Sequence, residues 1–95
     1  MLLKVSIPVE KGNEAFKSGV LQRTMQSAME ALKPEAAYFH PEDGKRTAIM
    51  VFDMEASSQL VPILEPLYTN LDAAIHITPV MNAEDLQRGF KAAIV

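Results

Sequence analysis

The stretch AYFHPEDGKRTAIMVFDM, residues 37–54, holds two apolar runs joined by a short polar link. Ala36 to His40 reads as one strand and Arg46 to Met54 as the next. Between them, Pro41-Glu42-Asp43-Gly44-Lys45 carries the proline, aspartate and glycine of a hairpin loop. The two runs are therefore expected to pair antiparallel. Tyr38 and His40 stand two residues apart on the first of them and so share one face.

Working outward, Leu2 to Val9 alternates, with Leu3, Val5, Ile7 and Val9 on one side and Lys4, Ser6 and Pro8 on the other. After the turn-prone Glu10-Lys11-Gly12, Asn13 is expected to cap a helix in which Phe16, Val20, Met25, Ala28, Met29 and Leu32 recur at helical steps. Gly19 lies inside that helix, at about 1 kcal/mol relative to alanine, and Pro34 ends it. Beyond the hairpin, Ser57 or Ser58 opens a second helix with Leu60, Ile63, Leu64, Leu67 and Leu71 as its apolar stripe. Pro62 suits a first turn, whereas Pro66 predicts a kink or an early end. Ala74 to Val80 is a fourth strand. A closing helix follows, capped by Asn82, with Asp85 at its third position and Leu86, Phe90 and Ile94 on its apolar side.

Ninety-five residues make a single domain, residues 1–95, that buries only about three fifths of the surface its unfolded chain exposes. Apolar residues are 48% and charged residues 22%, which suits a globular chain. There is no cysteine, which excludes disulfides, thiolate metal sites and cysteine nucleophiles. The net charge of -3, with basic residues scattered along the chain, offers no footprint for a phosphate backbone, so no nucleic-acid partner is expected. MLLKVSIPV has neither the basic leader nor the h-region of a secretory signal, and no segment is long and apolar enough for a membrane span. A soluble cytoplasmic protein, with no membrane partner, is the expectation.

The order strand, helix, strand, strand, helix, strand favours a ferredoxin-like α+β sandwich. Its four-stranded antiparallel sheet runs in the order 4-1-3-2, with both long helices on one face and the closing helix added. The other face is left open. If Val5, Ile7, Ile75 and Ile77 lie under the helices, the open face carries Lys4, Ser6, His76 and Thr78, joined by Tyr38 and His40. The third strand is apolar on both sides, Thr47, Ile49 and Val51 alternating with Ala48, Met50 and Phe52, so the pattern leaves its orientation open. The second set, with Met50 and Phe52, is assigned here to the open face. A sheet that greasy on its uncovered side predicts a second copy packed against it, a homodimer.

Element order, length and this open face resemble the dimeric α+β barrel superfamily, which includes cofactor-free antibiotic-biosynthesis monooxygenases, stress-responsive barrel proteins and many uncharacterised small bacterial proteins. YFHPEDGKRTAIMVFDM and the later ITPVMNAEDL look most like the uncharacterised members. The resemblance implies a dimeric α/β barrel in which a cavity within the barrel, or between sheet and helices, holds a ligand. It brings no catalytic motif that matches here residue by residue.

Histidine is the residue type that exchanges protons near neutral pH, and His40 and His76 are the only two. Two strands separate them, about 14 Å at ordinary strand spacing, which argues against a shared metal site. With Tyr38 as an orienting group they are the catalytic candidates, against the plainer reading of polar edge residues. Ser6 lacks an adjacent base. Lys4, on a central strand, must reach the rim or pair with an acid if a partner covers it. No dinucleotide, P-loop, zincin or hydrolase-elbow motif occurs, and neither a cofactor nor a metal is expected. The leading expectation is a homodimer that binds a small, mostly apolar molecule in its barrel, using Lys4, Ser6, Tyr38, Met50, Phe52, His76 and Thr78. The alternatives are a cofactor-independent monooxygenase or isomerase and a structural or regulatory interaction module.

Overall fold

The computed structural model describes residues 1–94. Alternation makes Leu2–Ile7 a strand, β1, with Leu3, Val5 and Ile7 buried and their neighbours half-exposed. Pro8 then caps helix α1 (Val9–Ser18) in an extended conformation, and the Gly12 N–H donates to the Pro8 carbonyl at 2.8 Å. The helix therefore starts one turn earlier than expected, and Asn13 lies inside it rather than at its cap. Proline suits this place because its fixed φ costs nothing before the first turn.

Gly19 was expected inside one long helix. It instead takes φ +83°, closes α1 through its N–H to the Phe16 carbonyl at 3.2 Å, and caps the start of α2 (Val20–Leu32) by accepting from the Arg23 N–H at 3.2 Å. Left-handed geometry of this kind is strained for any residue with a Cβ, so the glycine is a hinge between two helices. Lys33 ends α2, also left-handed, just before Pro34.

The hairpin forms as expected, but its loop is shorter than the sequence pattern suggests. Strands β2 (Ala36–Glu42) and β3 (Lys45–Val51) leave only Asp43 and Gly44 between them, at φ +53° and +74°. Two consecutive positive φ values fit the right-handed strand twist and favour this residue pair. Pro41 is accommodated because β2 is an edge strand. A single 3-10 turn at Ser57–Gln59 leads into α3 (Leu60–Leu71), which runs on through Pro66 rather than ending there. Pro62, four residues earlier, falls in the first turn. Only one interior hydrogen bond is lost, and burial of Leu67 and Leu71 offsets it. Strand β4 (Ala74–Thr78) and helix α4 (Ala83–Ala93) complete the chain. Asn82 and Asp85 cap α4 reciprocally: the Asp85 N–H donates to Asn82 Oδ1 at 2.8 Å and the Asn82 N–H to Asp85 Oδ2 at 3.2 Å.

The sheet is antiparallel throughout, in the order β2-β3-β1-β4, and with the helices it makes a ferredoxin-like α+β fold with one extra helix. Register resolves the orientation of β3. Met50 stands opposite Leu3 and Ala37, and Ala48 opposite Val5 and Phe39, so this set lies under the helices with Phe52 continuing it. Met50 is 0% and Phe52 2% exposed. Their assignment to the open face is thus corrected, and Thr47, Ile49 and Val51 occupy that face instead. The core joins Leu3, Val5, Ile7, Ala48, Met50 and Phe52 of the sheet to Ala15, Ala28, Leu32, Leu67 and Leu71 of the helices. Asn70 Nδ2 donates to Thr24 Oγ1 at 3.3 Å and ties α3 to α2.

Candidate functional site

The sheet carries a candidate surface on each of its sides. On the open face, antiparallel pairing sets Lys4 opposite Ile49 and His76, Ser6 opposite Thr47, Tyr38 opposite Ile49, His40 opposite Thr47, and Thr78 opposite Leu2. Lys4, Ser6, Tyr38, His40, His76 and Thr78 therefore share it with Leu2, Ile49 and Val51. Lys4 reaches along the sheet to Glu42 and forms an ion pair. The hydrogen bond from Lys4 and its charge hold the Glu42 carboxyl below the ordinary carboxylate range, against a smaller opposing effect of desolvation. A half-exposed lysine on a central strand is thereby matched by an acid from the edge. Tyr38 is 69% exposed. The two histidines are on opposite outer strands, and no cluster of three metal-ligating side chains occurs among the described residues.

His40 has one unusual feature. Its Nδ1 lies 3.2 Å from the Pro41 carbonyl, which can only accept, so this contact assigns the proton to Nδ1. Nε2 is then an acceptor, shielded from solvent and without a partner among the described residues.

The second surface is a cleft on the helix side, at the hairpin end. It arises because the sheet is wider than the helix layer: the helices cover β1 and the inner part of β3 but leave edge strand β2 overhanging. Phe39 makes the point, since it pairs with Ala48 and points to the helix side yet is 58% exposed. The cleft has a volume of about 640 Å³. Phe39, Pro41 and Ala48 form its floor, Val9 and Asn13 of α1 with Leu21 and Met25 of α2 form its wall, and Arg46 stands at its mouth. A small Ala48 where a larger side chain would fill the space keeps it open. Its size and mostly apolar lining with a few polar groups are those of a small-molecule site.

Arg46 is held in place at this mouth. Its Nη1 donates to Asn13 Oδ1 at 3.1 Å, and its guanidinium carbon lies 5.9 Å from the centroid of the Phe16 ring. Gly12 makes room, because a Cβ there would fall 2.8 Å from Arg46 Nη1. Phe39, Pro41, Arg46 and Ala48 come from the hairpin that draws attention in the sequence, whereas Val9, Asn13, Leu21 and Met25 come from α1 and α2. The alternation of Phe39 and Pro41 against Tyr38 and His40 was the available signal. It became meaningful only once the helices were seen to stop short of β2.

Helix α4 buries none of its residues, and Leu86, Phe90 and Ile94 all lie exposed on it, with Val80 and Met81 exposed just before it. The protein is correspondingly elongated, 55 × 27 × 17 Å. None of the described helices is long and apolar enough to cross a membrane.

Comparison with family models, curated proteins and solved structures returns no match for this chain.

Proposed function

We propose that this protein is a homodimeric binding protein for a small, mostly apolar molecule, and that the molecule occupies the cleft between the α1-α2 pair and the β2-β3 hairpin. The observation that carries this is the cleft itself, about 640 Å³ with Phe39, Leu21, Met25 and Val9 exposed to it in the folded chain. Leaving such apolar area wet is unfavourable by about 25 cal/mol per Å², so an apolar ligand gains what the core leaves unused. In this reading the ligand lies on the helix side, whereas the sequence suggests the open face.

Dimerisation is supported by a different feature. Leu2, Ile49, Val51 and Tyr38 form an apolar strip on the open sheet face, and α4 offers a second unpacked apolar surface. A twin chain lying sheet to sheet covers the first, in keeping with the resemblance to dimeric α+β barrels. Titration of isotopically labelled protein with a fragment library, read by amide shifts, tests the ligand part: clustering at Leu21, Phe39 and Ala48 is expected, and shifts confined to other surfaces refute it. Light scattering tests the dimer, and a single-chain mass at tens of micromolar refutes it.

The unpartnered Nε2 of His40 favours a second reading, a cofactor-independent enzyme in which His40 accepts a proton and Tyr38 orients the substrate. It requires that the side chains covering His40 and the buried Thr47 move aside so that substrate on the open face can reach Nε2. A His40→Gln variant that binds ligand in the cleft as the parent does, with no loss of any turnover found, removes it.

A further inference from the structure

We propose that the ligand of the cleft is an amphipathic carboxylate, its apolar body lying on Phe39, Leu21 and Met25 and its carboxylate meeting Arg46. This rests on the cleft being the binding site, as proposed above, and adds the class of molecule it takes.

The chain as a whole is acidic, with net charge -3, yet the charged side chain that register turns to the cleft is the basic Arg46, while Lys45 stands opposite Glu42 on the other face of the sheet. No carboxylate lies within ion-pair distance of Arg46 among the described residues, where Lys4 and Arg88 each have one. Arg46 is nevertheless fixed rather than free. One Nη1 hydrogen goes to the neutral Asn13, and the guanidinium plane rests near Phe16 over the gap that Gly12 provides. A guanidinium has five N–H donors, so most of its donor capacity points at no protein acceptor. A preplaced cation with open donors at the mouth of an apolar cleft is suited to a planar two-oxygen head group, and its fork geometry favours carboxylate. An apolar cleft alone would accept a neutral molecule equally well; the unmatched guanidinium of Arg46 separates the two cases.

Octanoate and octanamide differ in charge but hardly in shape, which makes them suitable probes. Titrated into the full chain at neutral pH and followed by amide shifts, both are expected to perturb Leu21, Phe39 and Ala48. Octanoate is expected to bind about five- to tenfold more tightly, the modest range reflecting the exposure of Arg46. In Arg46→Met the two affinities become equal, while Arg23→Met, outside the cleft, keeps the preference. Gly12→Ala gives an independent check. It adds a methyl where the guanidinium now lies, so it should reduce the octanoate preference and leave octanamide unchanged, and it serves in place of Arg46→Met if that variant does not fold. Equal affinities in the parent protein, or a preference that survives both Arg46→Met and Gly12→Ala, overturn the carboxylate assignment and leave the cleft intact as an apolar site. If neither probe shifts the cleft amides, the cleft reading fails as well.

Discussion

Ile49 and Met50 are chain neighbours on the same inner strand, and register sends them to opposite faces of the sheet, so a pair of substitutions there separates folding from assembly. Met50 is fully buried between Leu3 and Ala37. Truncation to alanine removes its thioether and leaves a cavity in rigid surroundings, at about 3 kcal/mol within the usual range of about 2–5 for such changes. In a domain of this size each kcal/mol lowers the melting temperature by about 4–8 °C, so Met50→Ala should melt about 12–24 °C below the parent. Ile49 is only half-buried in the single chain. Ile49→Asp there should cost about 1 kcal/mol in strand preference, or about 4–8 °C, but it plants a charge in the strip that the proposed dimer would cover. Differential scanning fluorimetry over a range of concentrations, paired with light scattering, reads both effects, the range being needed because a dimer's melting point depends on dilution. Met50→Ala should lower the melting point and keep the parent's mass, whereas Ile49→Asp should halve the mass. A Met50→Ala variant within about 4 °C of the parent, or one that dissociates while Ile49→Asp stays paired, would show that β3 faces the other way.

Other expectations follow from single features. Gly19→Ala forces a Cβ into a left-handed residue and should destabilise the protein by about 1–2 kcal/mol in urea titration; an unchanged midpoint would mean that the hinge between α1 and α2 is not kept in solution. Asn82→Ala removes one half of the reciprocal cap on α4, so exchange of the α4 amides should quicken several-fold, corresponding to about 1 kcal/mol, while the global midpoint holds because α4 buries no residue. The Glu42 carboxyl is held low by Lys4, so their pair stabilises the fold above the ordinary glutamate range and is lost as pH falls through the carboxyl's depressed value. Glu42→Gln should therefore lie slightly below the parent in urea midpoint at pH 7, the gap should narrow as the pH is lowered through the acid range, and a gap that does not narrow would rule out this pair as its source.

Most of the secondary structure was legible because it is dictated by neighbours in the chain. The alternation of Leu3, Val5 and Ile7 makes β1, the Asn82 and Asp85 pair starts α4, and Asp43-Gly44 turns the hairpin. Each depends on interactions within a few residues. Where local signals competed, the sequence pattern misled. Gly19 served as a hinge instead of being tolerated, Asn13 became an arginine acceptor instead of a cap, and Pro66 stayed inside a helix whose Leu67 and Leu71 are anchored in the core. At Asn13 and Pro66 a tertiary contact outweighed a propensity of about 1–3 kcal/mol, whereas at Gly19 the glycine's own freedom at positive φ broke the helix.

The order of strands, their antiparallel pairing and the existence of an uncovered sheet face were determined by the sequence itself, since alternation and short connections leave few ways to stack these elements. Which side of β3 is buried could not be decided that way, because both sides are apolar and only pairing with Leu3 and Val5 breaks the tie. The cleft is still less local. It exists because a helix layer of fixed width lies on a wider sheet, so its lining comes from β1, α1, α2 and the hairpin at once, and no stretch of sequence contains it.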